Sequence, residues 1–153
     1  MKKLLAVCLT ALFATTAAAQ TVALGEKVPE LKSATWLDGR QPATAPLTYV
    51  EFFRPSSAAS RASLDDLQAL SRKFGSKLHI VVLSRDSDEE TLALLRPYVS
   101  DAMSVGLDAS GRIFNAYGIR YAPSGVLVDA KKRAVWMGNS RQVDEPLIRK
   151  YLR

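Results

Sequence analysis

Residues 47–61 read Leu47-Thr48-Tyr49-Val50-Glu51-Phe52-Phe53-Arg54-Pro55-Ser56-Ser57-Ala58-Ala59-Ser60-Arg61, and they carry the main signal for the architecture. The first seven residues are mostly β-branched or aromatic, which predicts a buried strand with a single acid, Glu51, embedded in it. Leucines then recur at helical spacing from Leu64 to Leu70, until Gly75 stops the pattern. A strand therefore runs directly into a helix.

The strand-to-helix pattern is repeated downstream. Residues 77–83 form a continuous apolar run of the kind that is buried on both faces of a parallel sheet. Residues 87–90 then read as a capping box, with Ser87 as the expected cap of a helix that carries Leu92 and Leu95. Two parallel strands joined by a right-handed helical crossover are the simplest interpretation.

The last third of the chain has a different pattern. A turn at 108–111 precedes one short helix over 113–117, and the strands 125–129 and 133–138 are close enough to form an antiparallel hairpin. A final helix begins after Asp144. The complete pattern predicts an α/β fold, with a mixed central sheet and helices on both of its faces.

The amino terminus has the three parts of a secretory signal peptide. Met1-Lys2-Lys3 is followed by an apolar run over 4–14 and by an Ala-x-Ala end at Ala19. We expect a signal peptide over 1–19, a single domain over 20–153 and a periplasmic location, with an uncleaved anchor as the alternative. The only cysteine, Cys8, would leave with the signal peptide.

Composition and charge exclude several classes of protein. The chain has 153 residues, 48% hydrophobic and 24% charged, which argues against long disorder, a fibre or a disulfide scaffold. The formal charge of +6 becomes +4 once Lys2 and Lys3 are removed, and the basic residues do not cluster on any one predicted helix. We therefore expect no nucleic-acid partner and no membrane contact after cleavage. One histidine and no ligand-spaced cluster predict neither a metal nor a cofactor.

The order of these elements, with several local strings, resembles the thioredoxin fold and, more narrowly, the exported TlpA-like redoxins that serve cytochrome c maturation. Residues 24–31 resemble the family's Gly-x-x-x-Pro segment, and residues 108–124 resemble its Asp-x-x-Gly, Tyr-Gly-Val and Thr-Pro segments. The resemblance implies an extra amino-terminal strand or hairpin, with a turn at 37–40. It also implies a cis-proline at Pro123 beside the redox centre.

The redox motif itself departs from the family. Where these proteins carry Cys-x-x-Cys, this chain has Ser57-Ala58-Ala59-Ser60. The resemblance places Ser57 at the attacking position and Ser60 at the resolving position. A serine hydroxyl neither ionises usefully near neutral pH nor forms a disulfide, so we expect no catalytic residue here. Capping of the helix by Ser56 or Ser57 is the expected structural role, with Ser60 packed beneath the loop.

Two further residues bear on chemistry. Glu51 lies where thioredoxins often place a buried acid, and burial would raise its pKa. It is either a remnant that hydrogen-bonds Ser60 or a water, or the sign of a repurposed pocket. A serine hydrolase would need a base near Ser57, and nothing in the sequence brings the only histidine, His79, to that position.

The sequence thus predicts an exported thioredoxin-fold protein without the redox dithiol, a binding or assembly factor for an exported protein or peptide. Its binding groove would comprise residues 57–60 with Ala122 and Pro123, and an apolar lip of Phe53, Pro55, Ala58, Ala59, Tyr121 and Ala122. The alternative is a thiol-disulfide oxidoreductase of the cytochrome c maturation type whose cysteines were replaced by serine. A structural subunit with a vestigial groove is a third possibility.

Overall fold

The computed structural model describes residues 21–153, so the predicted signal peptide and Cys8 lie outside the described residues. The elements are β1 (Thr35–Trp36), β2 (Leu47–Phe53), α1 (Ala58–Phe74), β3 (Leu78–Ser84), α2 (Glu89–Leu95), β4 (Met103–Leu107), α3 (Arg112–Ala116), β5 (Ser124–Asp129), β6 (Ala134–Gly138) and α4 (Glu145–Tyr151). Within these residues, no helix is long and apolar enough to cross a bilayer.

The strands form one mixed sheet in the order β1-β4-β3-β2-β5-β6. β2 is parallel to β3 and β3 to β4, while β5 runs antiparallel to both β2 and β6. The predicted parallel unit and the predicted carboxy-terminal hairpin are both confirmed. The predicted last helix is confirmed as well, with Asp144 as its cap and Pro146 in its first turn.

β2 lies at the centre of the sheet and separates two hydrophobic layers. Tyr49 and Phe53 pack into the layer that contains the inner faces of α1 and α4. Val50 and Phe52 pack into the opposite layer, against α3. Helices therefore cover both faces, as predicted, and the alternation of side chains along one strand decides which layer each residue joins.

The start of α2 corrects one prediction. The cap is Asp88, one residue after the expected Ser87. Its carboxylate accepts hydrogen bonds from both the backbone N–H (3.0 Å) and the hydroxyl (2.8 Å) of Thr91. A carboxylate offers a separate oxygen to each of these two donors, and its charge suits a helix amino terminus.

β4 was not predicted, because Ser104 and Gly106 interrupt its apolar pattern. Both residues have a packing role in the sheet. The Ser104 hydroxyl lies 2.9 Å from Nε2 of the buried His79. A Cβ at Gly106 would lie 2.7 Å from the ring of Trp36, so only glycine lets β1 pack onto β4. The amino-terminal region contributes this two-residue β1 rather than a hairpin to the sheet.

Candidate functional site

The start of α1 and the segment before β5 meet at one end of the sheet. β2 and β5 are antiparallel, with Phe52 opposite Ser124, so the chain leaves β2 for α1 beside the point where it enters β5. The peptide bond between Ala122 and Pro123 is cis. The topology thus brings the residues 57–60 and 122–123, which the sequence singled out, to the same edge.

Ser57 is the cap of α1. Its backbone is extended, with φ −91° and ψ 115°, and its Oγ accepts a hydrogen bond of 3.1 Å from the backbone N–H of Ser60. The Ser57 N–H in turn donates to the Arg54 carbonyl, at 3.0 Å. Helix amino termini leave backbone donors unsatisfied, and this hydroxyl satisfies one of them.

Ser60 is completely buried in the first turn of α1. Its Oγ accepts a long hydrogen bond of 3.4 Å from the backbone N–H of Arg54, which ties the helix back to the end of β2. The Arg61 guanidinium donates to the Pro55 carbonyl and closes the loop from outside. Both serines therefore hold the junction between strand and helix together.

His79 does not come near these serines. It pairs in register with Thr48, at the opposite end of β2 from Ser57, and its side chain is buried against Ser104. Burial lowers its pKa. The serine hydrolase interpretation therefore has no histidine base at Ser57.

Glu51 lies in the core beside this junction, with no exposed surface. Its Oε2 accepts hydrogen bonds from the hydroxyls of Tyr49, at 2.9 Å, and Ser140. Its Oε1 has no partner among residues 21–153. Burial raises the pKa of Glu51 to about 7, and the two hydrogen bonds only partly oppose that effect.

These contacts correct the expected environment of Glu51. The expected hydrogen bond to Ser60 is not formed, because the observed donors are two hydroxyls, one on the strand itself and one on the segment after β6. Gly125 makes this arrangement possible, because a Cβ there would lie 1.9 Å from the Tyr49 hydroxyl oxygen. Neither Ser140 nor Gly125 stood out in the sequence, since both act through contacts distant along the chain.

The predicted lip of the groove is partly exposed. Tyr121 is 81% exposed, and Ala58 and Ala59 are exposed as well. Phe53 is not part of the lip, because it is 1% exposed and packs in the core beneath α1. Side chains alternate between the two faces of β2, so Phe53 lies on the same face as Tyr49, in the layer under α1, and not at the surface.

The backbone next to Pro123 is open. Within residues 21–153, no hydrogen bond engages the N–H or C=O groups of Tyr121 and Ala122. Unpaired backbone groups of this kind can bind an extended peptide as an added strand.

A concavity of about 550 Å³ lies between α2 and the loop that joins β2 to α1. Pro55, Ser56 and Arg61 contribute from the loop, and Asp88 and Glu90 from the start of α2. The contribution of α2 to this concavity was not predicted. The signal was available, because α2 follows β3, whose carboxyl end lies at the same sheet edge as that of the parallel β2. No group of three possible metal-ligating side chains occurs in the described part of the chain.

The chain is similar to known proteins in its fold and not in its sequence. No protein-family model and no curated protein sequence matches the chain. Among solved structures, it is similar to the thioredoxin domain of a thiol-disulfide oxidoreductase from Bacteroides vulgatus, with 17% identity, a TM-score of 0.67, and coverage of 87% of this chain and 100% of that one.

Two further structures are similar. The exposed lipoprotein thioredoxin of Streptococcus pneumoniae has 17% identity and a TM-score of 0.60, over 78% of this chain and 97% of that one. StoA from Bacillus subtilis has 13% identity and a TM-score of 0.57, over 69% and 84%. At such identities the likeness establishes architecture, and this chain has the thioredoxin fold.

Proposed function

We propose that this chain is an exported thioredoxin-fold protein that binds an extended segment of a partner protein without thiol chemistry. The binding groove would lie between the start of α1 (residues 57–60) and the segment Tyr121–Pro123. The observation that carries the proposal is the pair of unengaged backbone groups at Tyr121 and Ala122, beside an exposed aromatic ring.

The physical basis of binding is strand addition. An extended peptide beside Ala122 would satisfy backbone donors and acceptors that nothing within residues 21–153 satisfies. The ring of Tyr121 would lose much of its 81% exposure under such a peptide, and burial of aromatic surface stabilises a complex. The small side chains of Ala58 and Ala59 leave the opposite wall open.

The proposal that this chain works without thiol chemistry is based on the two serines. The thiol-disulfide reaction needs two sulfur atoms that share a bond, and residues 21–153 contain no cysteine. The hydroxyls of Ser57 and Ser60 each accept a backbone hydrogen bond at the junction of β2 and α1. They act there as structural groups, so the proposed function of the groove does not depend on thiol chemistry.

The alternative is a thiol-disulfide oxidoreductase of the cytochrome c maturation type whose two cysteines were replaced by serine. The proteins similar in architecture include a thiol-disulfide oxidoreductase and a thioredoxin, which favours this alternative as an origin. The native gene decides between the two proposals, because cysteine codons at positions 57 and 60 would support the alternative.

The binding proposal can be tested by site-specific photocrosslinking. A photoreactive phenylalanine analogue replaces Tyr121 in one variant and Leu24 in the matched control, since Leu24 is also a large apolar residue, 65% exposed. Each variant of the full chain is mixed with periplasmic extract and irradiated. We expect discrete adducts from position 121 and few from position 24. Ala58→Trp, which fills the opposite wall and keeps the Ser57 cap, should abolish most of them.

Equal crosslinking from both positions, or adducts that Ala58→Trp leaves unchanged, would contradict groove binding. The non-redox part has a separate test in the reduction of insulin by the purified chain. We expect no rate above that of the buffer, and a measurable rate would refute that part alone.

A further inference from the structure

A second concavity lies at the opposite end of the sheet from Pro123, and the proposed groove does not use it. It encloses about 410 Å³, within the range of roughly 300–1,000 Å³ that is usual for small-molecule sites. Its floor is formed by Val50, Val81 and Val128 from the three adjacent strands β2, β3 and β5. The floor is apolar, but its side chains are only 2%, 0% and 3% exposed, so the apolar surface that a ligand can reach belongs mainly to the half-buried wall residues Val28 and Leu31.

The wall of this cavity is a segment of the amino-terminal region that is held in place at two points. Val28 donates its backbone N–H to the Lys132 carbonyl at 2.9 Å. The buried Tyr117 donates its hydroxyl to the Pro29 carbonyl, also at 2.9 Å. Val28 and Leu31 line the cavity from this segment. These two hydrogen bonds fix the wall of the concavity against the rest of the fold.

The rim of the cavity is basic. Lys27, Lys32, Lys131 and Lys132 line it, together with a single acid, Glu30. Glu30 is paired with Lys32 at 2.6 Å. Within residues 21–153, the other three lysines have no carboxylate within ion-pair distance.

Asp129, the acid of the neighbouring hairpin turn, forms no ion pair with these lysines among residues 21–153. Asp129 uses its Oδ1 to accept hydrogen bonds of 2.9 Å from the backbone N–H groups of Lys131 and Arg133. An apolar concavity bordered by an excess of positive charge attracts anions and concentrates them at its mouth. The two features together specify a ligand with an apolar body and a negative head.

We propose that this cavity binds a small amphiphilic carboxylate, with its apolar body against Val28 and Leu31 above the valine floor and its carboxylate beside Lys131 and Lys132. Burial of apolar surface would supply most of the affinity, at about 25 cal/mol per Å². The lysines would supply selectivity for the anion, in the manner of a rim charge. This site is independent of the proposed groove, since the two lie at opposite ends of β2.

The experiment compares decanoate with decanol, which share a ten-carbon chain and differ in charge. Titration calorimetry on the purified chain at low salt should show saturable binding of decanoate, about tenfold tighter than binding of decanol. The double variant Lys131→Gln/Lys132→Asn should remove that tenfold preference and leave decanol binding unchanged. Asparagine is chosen at position 132 because that residue has φ +63°, a conformation that asparagine tolerates.

Lys77→Gln/Lys150→Gln is the matched control, because it removes two charges from residues that do not line the cavity. It should bind decanoate as the unmodified chain does. Val28 is a half-buried residue of the wall, so Val28→Phe narrows the cavity and should weaken the binding of both ligands. Circular dichroism checks that this variant is folded.

Four results would overturn the proposal. Equal affinity for decanoate and decanol would show that the lysines of the rim have no role in binding. An equal loss of decanoate affinity in both lysine double variants would show that only the net charge of the protein matters. A folded Val28→Phe variant with unchanged binding would place the ligand elsewhere. Vesicles of phosphatidylglycerol distinguish the remaining source of anionic lipid, since sedimentation with vesicles and no binding of free decanoate would identify a membrane surface and refute a ligand cavity.

Discussion

The hydroxyl of Tyr49 donates a hydrogen bond of 2.9 Å to Oε2 of Glu51, two residues further along the same face of β2. Ser140 donates to the same oxygen, and the other carboxyl oxygen has no partner within the described residues. The pKa of this carboxyl is raised to about 7, chiefly by burial. A core acid that is neutral below neutral pH couples the stability of the fold to proton concentration.

We predict that Glu51 contributes stability at low pH that is lost as the pH rises. The folded state binds the proton more tightly than the unfolded state, whose carboxyl has the ordinary pKa of 4.5. The contribution is therefore complete below about pH 4.5 and is lost by about pH 7, with a size on the order of 3 kcal/mol. Glu51→Gln should remove this dependence, so its free energy of unfolding should rise relative to the unmodified chain between pH 4.5 and pH 8.

Urea unfolding at several pH values measures this difference. Glu30→Gln, at an exposed position, is the control and should follow the unmodified chain. Parallel pH profiles for Glu51→Gln and the unmodified chain would show that Glu51 is not the responsible group.

A second prediction concerns Gly125. An alanine Cβ there would lie 1.9 Å from the Tyr49 hydroxyl oxygen and 2.3 Å from the ring carbon that bears it, so the ring must move and lose its bond to Glu51. We expect Gly125→Ala to lower the free energy of unfolding by about 3 kcal/mol or more, from overpacking and a lost buried hydrogen bond.

Gly39→Ala provides the comparison for Gly125→Ala. Gly39 has φ +71° but open space around it. Alanine there should lower the free energy of unfolding only through its unfavourable left-handed backbone conformation, by about 1–2 kcal/mol. Chemical denaturation of both variants gives the two values. Equal losses would mean that the core around Tyr49 adapts to the extra methyl group.

A third prediction concerns the cap of α1. Ser57→Ala removes the acceptor of the Ser60 N–H and should destabilise the protein by about 0.5–2 kcal/mol. Ser57→Asp should retain most of the stability, because aspartate is also a good cap and its charge suits the helix amino terminus. Ser56→Ala, at the exposed neighbouring position, should have little effect. Thermal unfolding of the three variants measures these changes in stability. A larger loss of stability for Ser56→Ala than for Ser57→Ala would mean that Ser56, and not Ser57, caps α1.

A fourth prediction is that the scaffold accepts the missing dithiol. In Ser57→Cys/Ser60→Cys, the first thiol would lie at a helix amino terminus, where the pKa of a cysteine is lowered. We expect an intramolecular disulfide in oxidised glutathione and reduction of insulin above the rate of the unmodified chain. The control Ser57→Cys/Ser63→Cys has one thiol at the cap and one inside α1, at the wrong spacing, and should do neither. Two free thiols in the first variant after oxidation would mean that this site no longer supports the reaction.

The sequence predicted the elements whose signals are local. The strand before Ser57, the helix ended by Gly75 and the last helix capped by Asp144 each follow from neighbours a few residues away. The role of Ser57 as a cap is of the same kind, because a helix start needs an acceptor within three residues.

The features that sequence analysis missed depend on contacts between distant residues. Ser140 is 89 residues from Glu51, and nothing near Ser140 indicates that contact. Similarly, β4 has a weak pattern because His79 accommodates Ser104 and Trp36 requires Gly106. Only the assembled sheet brings these partners together.

The serine oxygens that join β2 to α1 have a consequence for where this protein can fold. Ser57 and Ser60 make their contacts through hydroxyls, and residues 21–153 hold no sulfur that could be oxidised to a disulfide. Dithiothreitol or glutathione should therefore leave the stability of this domain unchanged. Its folding is independent of oxidative folding catalysts, and the same native structure is expected in a reducing cytosol and in an oxidising envelope.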